Sequence, residues 1–304
     1  MSDISNPIFH DEAKAREWLE ARVWANGRVC PHCGVVDQST LLKGKTTRPG
    51  LYQCNGCREP FTVTIGTLYE RSKIPLHTWL AVTHLMMASK KGMSALQISR
   101  MIARPYKTVW FLCHRIRESL KASPDLAPMG GAQKVIEADE TYVGGKAKNR
   151  AHRKPAPKQA VFSLVERDGN VRSFHMAQVS SKTLAPIIAA NVNKASSLMT
   201  DESTLYPKLG EGFSYHGTVN HSANEYARAY FWHTNTVEGY FSLLKRAVFG
   251  TYHHVSEAHL HRYTAEQDFK WNTRKVTDFQ RFDQSIDGIV GKRLTYRRPD
   301  QAAN

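Results

Sequence analysis

The sequence predicts a chain of mixed α/β class, in which a small metal-held module and a helical segment precede a larger mixed-sheet domain. Three observations predict it. Two Cys-x-x-Cys pairs lie near the start, and a stretch with helical apolar periodicity follows them. The second half then opens on a strand, a hairpin, a helix and a further strand. A length of 304 residues fits roughly two domains, and 41% apolar residues exclude a collagen-like, low-complexity or mostly disordered chain.

Charge narrows the partner. Lys and Arg total 42 against 27 Asp and Glu, a net +15 that points to a polyanion. Nucleic acid fits better than a membrane. The longest apolar stretch, near Thr78–Ser89, is broken by His84 and falls well short of the ~20 residues a spanning helix needs. The polar start, MSDISNPIFHDEAKAREW, lacks the features of a signal peptide, and 5 cysteines do not suggest a secreted disulfide framework. The expectation is a cytoplasmic protein with no membrane contact, associated with the nucleoid when it acts.

The first element is the cysteine module. Cys30-Pro-His-Cys33 and Cys54-Asn-Gly-Cys57 are separated by 20 residues, the spacing of a tetrahedral four-thiolate zinc site. Strand-like runs at Thr40–Leu42, Leu51–Gln53 and Phe61–Ile65 make it a zinc ribbon, so residues 1–73 are expected to form an N-terminal helix and ribbon. The zinc is structural, supplying folding energy to a segment with little core of its own. A pair of redox dithiols is the alternative. Cys113, alone in an apolar stripe, reads as a buried core thiol.

Residues 74–124 are expected to be helical. Ser94 with Gln97 reads as a capping box that opens a short helix through Ile102. Arg104-Pro105-Tyr106 breaks it, and Val109, Leu112, Cys113, Ile116 and Leu120 mark one face of a second helix. Lys107, Thr108, His114, Arg115 and Lys121 decorate the rest. Two helices joined by a short turn, the second basic, suit a helix-turn-helix, with Lys107 and Arg115 as DNA contacts. A small bundle with a solvated basic face would look similar. The Pro/Gly-rich stretch from Ser123 to Gly131 reads as a linker.

From 130 to 290 a second domain is expected, followed by a basic tail over 291–304. Lys134–Val143 is strand-like, and Ala160–Glu166 and Val171–Val179 flank an Asp168-Gly169 hairpin turn. A helix near Lys182–Asn193 and a short strand ending at Thr200-Asp201-Glu202 follow. That order is the order of a ribonuclease-H-like mixed-sheet core. Two-metal phosphoryl transfer needs carboxylates around ions ~3.5–4 Å apart, and Asp139 and Asp201 at strand positions suit it. Further on, Val237, Phe241, Leu244 and Val248 form a helical stripe, leaving Glu238, Ser242 and Lys245 on another face. Glu238 could equally cap a helix with Asn235, and Glu137, Glu140 and Glu202 are also at hand; spacing alone does not choose among them.

Taken together, these residues resemble the ISXO-type insertion-sequence DDE transposases with an N-terminal zinc ribbon. The resemblance runs from about Cys30 to Arg274 and rests on the paired knuckles, Glu137-Ala-Asp139-Glu-Thr-Tyr-Val-Gly-Gly-Lys146, Thr200-Asp201-Glu202-Ser-Thr-Leu-Tyr206 and Asn235-Thr-Val-Glu238-Gly-Tyr-Phe-Ser-Leu-Leu-Lys245-Arg246. Gly250-Thr-Tyr-His-His-Val-Ser256 also fits, as does Asp268-Phe-Lys-Trp-Asn272-Thr-Arg274, where Lys270 and Trp271 replace the family's usual arginine and tyrosine. The resemblance implies a catalytic trio of Asp139, Asp201 and a third member. Relatives differ between Glu and Asn there; Glu238 is chosen over Asn235 because a carboxylate binds magnesium better than an amide.

The implied activity is cleavage of transposon ends and joining of their 3′ hydroxyls to target DNA, with Mg2+ or Mn2+ held by Asp139, Asp201 and Glu238. Asn235 and Lys245 would support the site. Lys146, Lys148 and Arg150, with the neighbouring Arg153, Lys154 and Lys158, would hold flanking or target DNA. The partners are double-stranded DNA ends and target, and two ends require a homo-oligomer on DNA. The competing readings are a DNA-binding regulator derived from a transposase and a structure-specific nuclease on the same core.

Overall fold

A computed structural model describes residues 4–123, 125–144, 157–219 and 232–295. The chain forms two units, one running to Leu120 and resuming at Val276, the other spanning Lys121–Lys275. The second unit therefore ends earlier than the boundary at 290 expected from the sequence. The reason is apolar. Phe282, Ile286 and Ile289 are buried in the first unit, where Phe282 packs 5.3 Å from Phe9 and 5.4 Å from Trp18.

In the first unit, α1 (Glu12–Val23) begins at Asp11, whose side chain accepts the Lys14 N–H. The zinc-ribbon segment follows as β1 (Ser39–Leu41), β2 (Tyr52–Cys54) and β3 (Pro60–Phe61), an antiparallel sheet in that order. Its core is Tyr52, Phe61 and two of the cysteines, with Trp24 and Ile65 against it. Next come α2 (Leu76–Ala88), α3 (Ala95–Met101) and α4 (Tyr106–Ser119). Pro105 cannot continue α3, because its ring bars the preceding residue from helical backbone, and so it starts α4 instead. Val109, Leu112, Cys113, Ile116 and Leu120 are all buried, as their spacing predicts. After Val276 the chain forms α9 (Asp278–Asp287), opened by a Thr277–Gln280 capping box and tied to α1 where Arg22 meets Asp283 at 3.0 Å.

The second unit is built on a five-stranded sheet in the order β6-β5-β4-β7-β8. Its strands are β4 (Val135–Val143), β5 (Gln159–Glu166), β6 (Val171–Met176), β7 (Ser197–Asp201) and β8 (Tyr215–Val219). The first three form an antiparallel meander, while β7 runs parallel to β4 and β8 parallel to β7. This is the ribonuclease-H-like mixed sheet. Asp168 takes φ +58 in the hairpin turn, a conformation that Asp tolerates better than most residues.

Each face of the sheet has its own core. Ile136, Ala138, Phe162, Leu164 and Leu198 pack with α5 (Ser181–Asn191), whose Leu184 and Ile188 are buried there, and with Tyr206, which precedes α6 (Pro207–Gly210). Val143, Val161, Val165 and Val171 pack on the opposite face under α7 (Asn235–Arg246), a π-helical turn (Ala247–Tyr252) and α8 (Glu257–Asn272). Because side chains alternate along a strand, Glu137, Asp139 and Thr141 share the face of Val143, toward α7. No helix among the described residues is long and apolar enough to cross a membrane.

Candidate functional site

The cysteine module is laid out for a tetrahedral ion. Cys30 Sγ lies 3.7 Å from Cys57 Sγ, and Cys33 Sγ lies 3.6 Å from Cys54 Sγ, with all four sulfurs within 4.8 Å of one another. Zn–S bonds of about 2.3 Å in a tetrahedron place sulfurs roughly 3.8 Å apart, so the donors fit zinc in both type and spacing. The two turns are built alike. In each, the first cysteine's N–H bonds the carbonyl five residues on, Val35 or Glu59, and its own carbonyl accepts from the residue four on, Gly34 or Arg58. That fourth residue takes positive φ, +77 at Gly34 and +65 at Arg58, which turns the chain back toward the ion. The thiols share their protons unevenly: the N–H of Cys57 draws the Cys54 thiol down to about 6, while, against the Glu59 N–H, burial and the neighbouring sulfurs push the Cys57 thiol up to about 12.

Two of the expected surface groups on α4 point elsewhere. Arg115 is 7% exposed, donates to the Glu70 carbonyl at 3.0 Å and lies 5.0 Å above the Trp79 ring. It braces the segment before α2 rather than decorating a free face. His114 is likewise buried, its ring 4.1 Å from that of Trp110. Both corrections have one cause: the buried face of α4 extends beyond its apolar stripe. Lys107 is exposed in the first turn of α4, beside a hollow lined by Arg71, Lys73, Trp79 and Phe111.

The acids of the second unit converge on one region. β4 and β7 pair in parallel from Val135–Ser197 to Glu137–Met199, and each acid lies two residues past that last pair, Asp139 on β4 and Asp201 at the end of β7. Both project from the sheet face that α7 covers. Glu238 lies in the first turn of α7, where it accepts the Thr234 hydroxyl at 3.0 Å. Burial, then the charges of Asp201, Glu140 and Glu238, push the Asp139 carboxyl up to about 8. Asp201 and Glu238 acting on Asp139 make a region that favours a cation, and an all-oxygen donor set suits magnesium or manganese. Among the described residues the four sulfurs are the one group gathered within 4.8 Å; the carboxylates are coupled by charge at longer range.

The neighbours of these acids divide by sheet face. Glu140 points away from α7 to the Tyr206 hydroxyl, which ties β4 to the segment after Asp201, and burial raises the Glu140 carboxyl. Asp201 accepts the Ser203 N–H at 3.1 Å, turning the chain sharply out of β7. On the α7 side, Glu137 is fully buried and bonded to Arg167 and to the start of α7. A polar row crosses the sheet from Asp139 through its partner Ser163 to Ser173, whose hydroxyl bonds Asp268, which also accepts from Tyr240 of α7. Burial lifts the Asp268 carboxyl to about 6.

Asn235 and Lys245 are exposed on α7, as are Ser242 and Arg246. Lys146, Lys148 and Arg150, with Arg153 and Lys154, lie outside the described residues, and Lys158 is exposed just before β5. The Asp268–Arg274 motif acts as a clamp. Asn272 bonds the N–H and carbonyl of Val171 at 2.7 and 3.1 Å, and Arg274 donates to Gly169 of the hairpin turn at 2.9 Å. The local sequence missed the roles of Glu137, Arg167 and Ser163. The available signal was a second carboxylate at i−2 on the same strand face as Asp139.

Known proteins agree with this architecture. Residues 131–272 match the ISXO2-like transposase domain, and residues 10–59 match a transposase zinc-ribbon domain. A protein in the transposable element ISH50 of Halobacterium salinarum is 26% identical over 255 residues, covering 78% of this chain and 83% of that protein. Among solved structures, the Drosophila P element transposase strand transfer complex aligns at 10% identity and a TM-score of 0.29, over 66% of this chain and 58% of that chain. That last likeness is too loose to carry an argument. The matches thus mark an ISXO2-like transposase domain over residues 131–272, preceded by a transposase zinc ribbon over residues 10–59.

Proposed function

We propose that this protein binds the ends of an insertion element, cuts them and joins the freed 3′ hydroxyls to target DNA, with Asp139, Asp201 and Glu238 as the metal-holding acids. The observation that carries this reading is that Asp139 and Asp201 each lie two residues past the last pair of adjacent parallel strands, with the charges of Asp201 and Glu238 acting on Asp139. Glu238 is the third member rather than Asn235. It offers a carboxylate from the first turn of α7, whereas Asn235 is an exposed amide at the helix start.

Magnesium or manganese, when bound, activates water or a 3′ hydroxyl and stabilises the leaving oxygen. The residues around it do the rest. Asp139, central in β4, feels the charges of both other acids and would hold the middle of the site. Asp201 is fixed by its turn with Ser203, and Glu238 is held by Thr234. Lys245, two helical turns beyond Glu238, extends toward the DNA backbone, about 10 Å along the axis. In the first unit the ribbon and α3–α4 bind the inverted-repeat ends, with Lys107 as a phosphate contact, and Lys146, Lys148 and Arg150 hold flanking or target DNA. Two ends require two sites, so the acting form is a homo-oligomer on DNA in the cytoplasm.

A gel assay of end cleavage in magnesium tests the reading. The wild type cuts its cognate ends and Asp139→Ala does not; equal cutting by both, or none by the wild type, refutes it. A strand-transfer assay separates the nearest rival, since a structure-specific nuclease cuts branched DNA and joins nothing.

A further inference from the structure

The buried carboxylate of Glu137 has no role in the trio, yet it makes the densest set of polar contacts near it. Its oxygens accept the N–H of Thr236 at 2.8 Å, the N–H of Val237 at 3.0 Å, the Thr236 hydroxyl at 2.9 Å and Arg167 Nε at 2.6 Å. His233 Nδ1 stands 3.2 Å from the same carboxylate. Thr236 and Val237 are the second and third residues of α7, whose early N–H groups have no partner within the helix. The helix's own N-cap, Thr234, turns its hydroxyl to Glu238 and caps nothing. The cap of α7 is therefore supplied from β4.

Placement gives this cap its meaning. Glu137 and Asp139 share one face of β4, about 7 Å apart along the strand. Val237, the residue that Glu137 holds by its backbone, is followed directly by Glu238. One side chain thus fixes the helix carrying one acid against the strand carrying another. Arg167 locks the clamp by bridging the Glu137 carboxylate and, at 2.8 Å, the His233 carbonyl just before α7. Four accepted bonds fill the lone-pair sites of a carboxylate, so it has no freedom to turn. The negative charge at a helix N-terminus also meets the positive end of the helix dipole.

We infer that Glu137 is a positioning residue: from β4 it caps α7 and sets Glu238 at the distance from Asp139 at which the two can share a divalent ion. This inference rests on the assignment of Asp139, Asp201 and Glu238 as metal ligands. Outer partners that orient ligands are worth about 10–100-fold in metal affinity.

The experiment measures Mn2+ affinity by electron paramagnetic resonance on the zinc-loaded full chain, for wild type, Asp139→Asn, Glu137→Gln, Glu238→Ala and the double variant Glu137→Gln/Glu238→Ala. Glu137→Asp is the second probe; it keeps the charge and shortens the reach by one methylene, so it tests the clamp even if Glu137→Gln fails to fold. The expected result is Mn2+ binding weakened about 10–100-fold by Glu137→Gln and by Glu137→Asp. In the Glu238→Ala background the Glu137 change adds nothing further, because its effect passes through Glu238. A merely structural role would lower affinity by the same factor in both backgrounds, and that result overturns the inference. Wild-type affinity in Glu137→Asp overturns it too, while leaving the metal assignment standing. Equal Mn2+ affinity in wild type and Asp139→Asn overturns the assignment and the inference together.

Discussion

Asparagine in place of Asp139 is expected to abolish cleavage and yet stabilise the second unit in magnesium-free buffer. Burial, opposed by the Glu140 N–H and aided by the charges of Asp201, Glu140 and Glu238, moves the Asp139 carboxyl from 3.8 to about 8. A carboxyl raised in the folded state keeps a proton that the unfolded chain releases, so stability falls as pH rises from 3.8 to about 8. At pH 7 roughly three units of that window have been crossed, a cost of about 4 kcal/mol at most. Asparagine has the same shape, still accepts the Glu140 N–H bonded at 2.7 Å to Asp139, and carries no charge to titrate. Hydrogen exchange of peptides from β4 and β5 reads the opening free energy of this unit alone. The gap between Asp139→Asn and wild type should widen by up to about 1.4 kcal/mol per pH unit between about pH 5 and 7. Added magnesium should close it, because only the wild type gains from the ion. A gap that stays flat with pH, or a variant less stable than wild type at pH 7, refutes the reasoning.

Other expectations follow from the same contacts. Cys54→Ser should lower zinc from about one per chain to near none by metal analysis, since one of four donors is lost; unchanged zinc content would rule out the tetrahedral site. Lys107→Ala should reduce the salt slope of end binding by about one phosphate's worth without changing thermal stability. Arg115→Met should do the reverse, costing about 1–3 kcal/mol by leaving the Glu70 carbonyl unpaired while the slope stays put. If Arg115→Met instead flattens the slope at full stability, its inward placement is wrong. Asn272→Ala should speed hydrogen exchange across Val171–Met176, because two backbone bonds to the hairpin are lost; unchanged exchange there would contradict the clamp.

What could be read from the sequence was what local spacing encodes. The knuckle turns need only Cys-x-x-Cys and a following residue able to take positive φ, so the ribbon was plain, although its third strand stops at Phe61 rather than reaching Ile65. The Asp168-Gly169 turn and the Val237, Phe241, Leu244 stripe placed the hairpin and α7 for the same reason. Non-local pairing was hidden. β8 carries His216-Gly217-Thr218 with no clean alternation, and is a strand because β7 offers it a parallel edge. Arg115 looks like a surface cation until Trp79 and Glu70 close over it. In the candidate site, spacing alone leaves Asp139, Asp201 and Glu238 no better placed than Glu137, Glu140 and Glu202, and only the family resemblance chooses among them. The part of Glu137 was not legible, because its partners lie about a hundred residues further along the chain.

The most direct test of the central claim is a strand-transfer assay on cognate ends in magnesium, run with wild type, Asp139→Ala, Asp201→Ala, Glu238→Ala and Asn235→Ala. The account predicts joined product from the wild type and from Asn235→Ala, and none from the three acid variants. Product from Glu238→Ala at the wild-type level, or no product from the wild type, would contradict it.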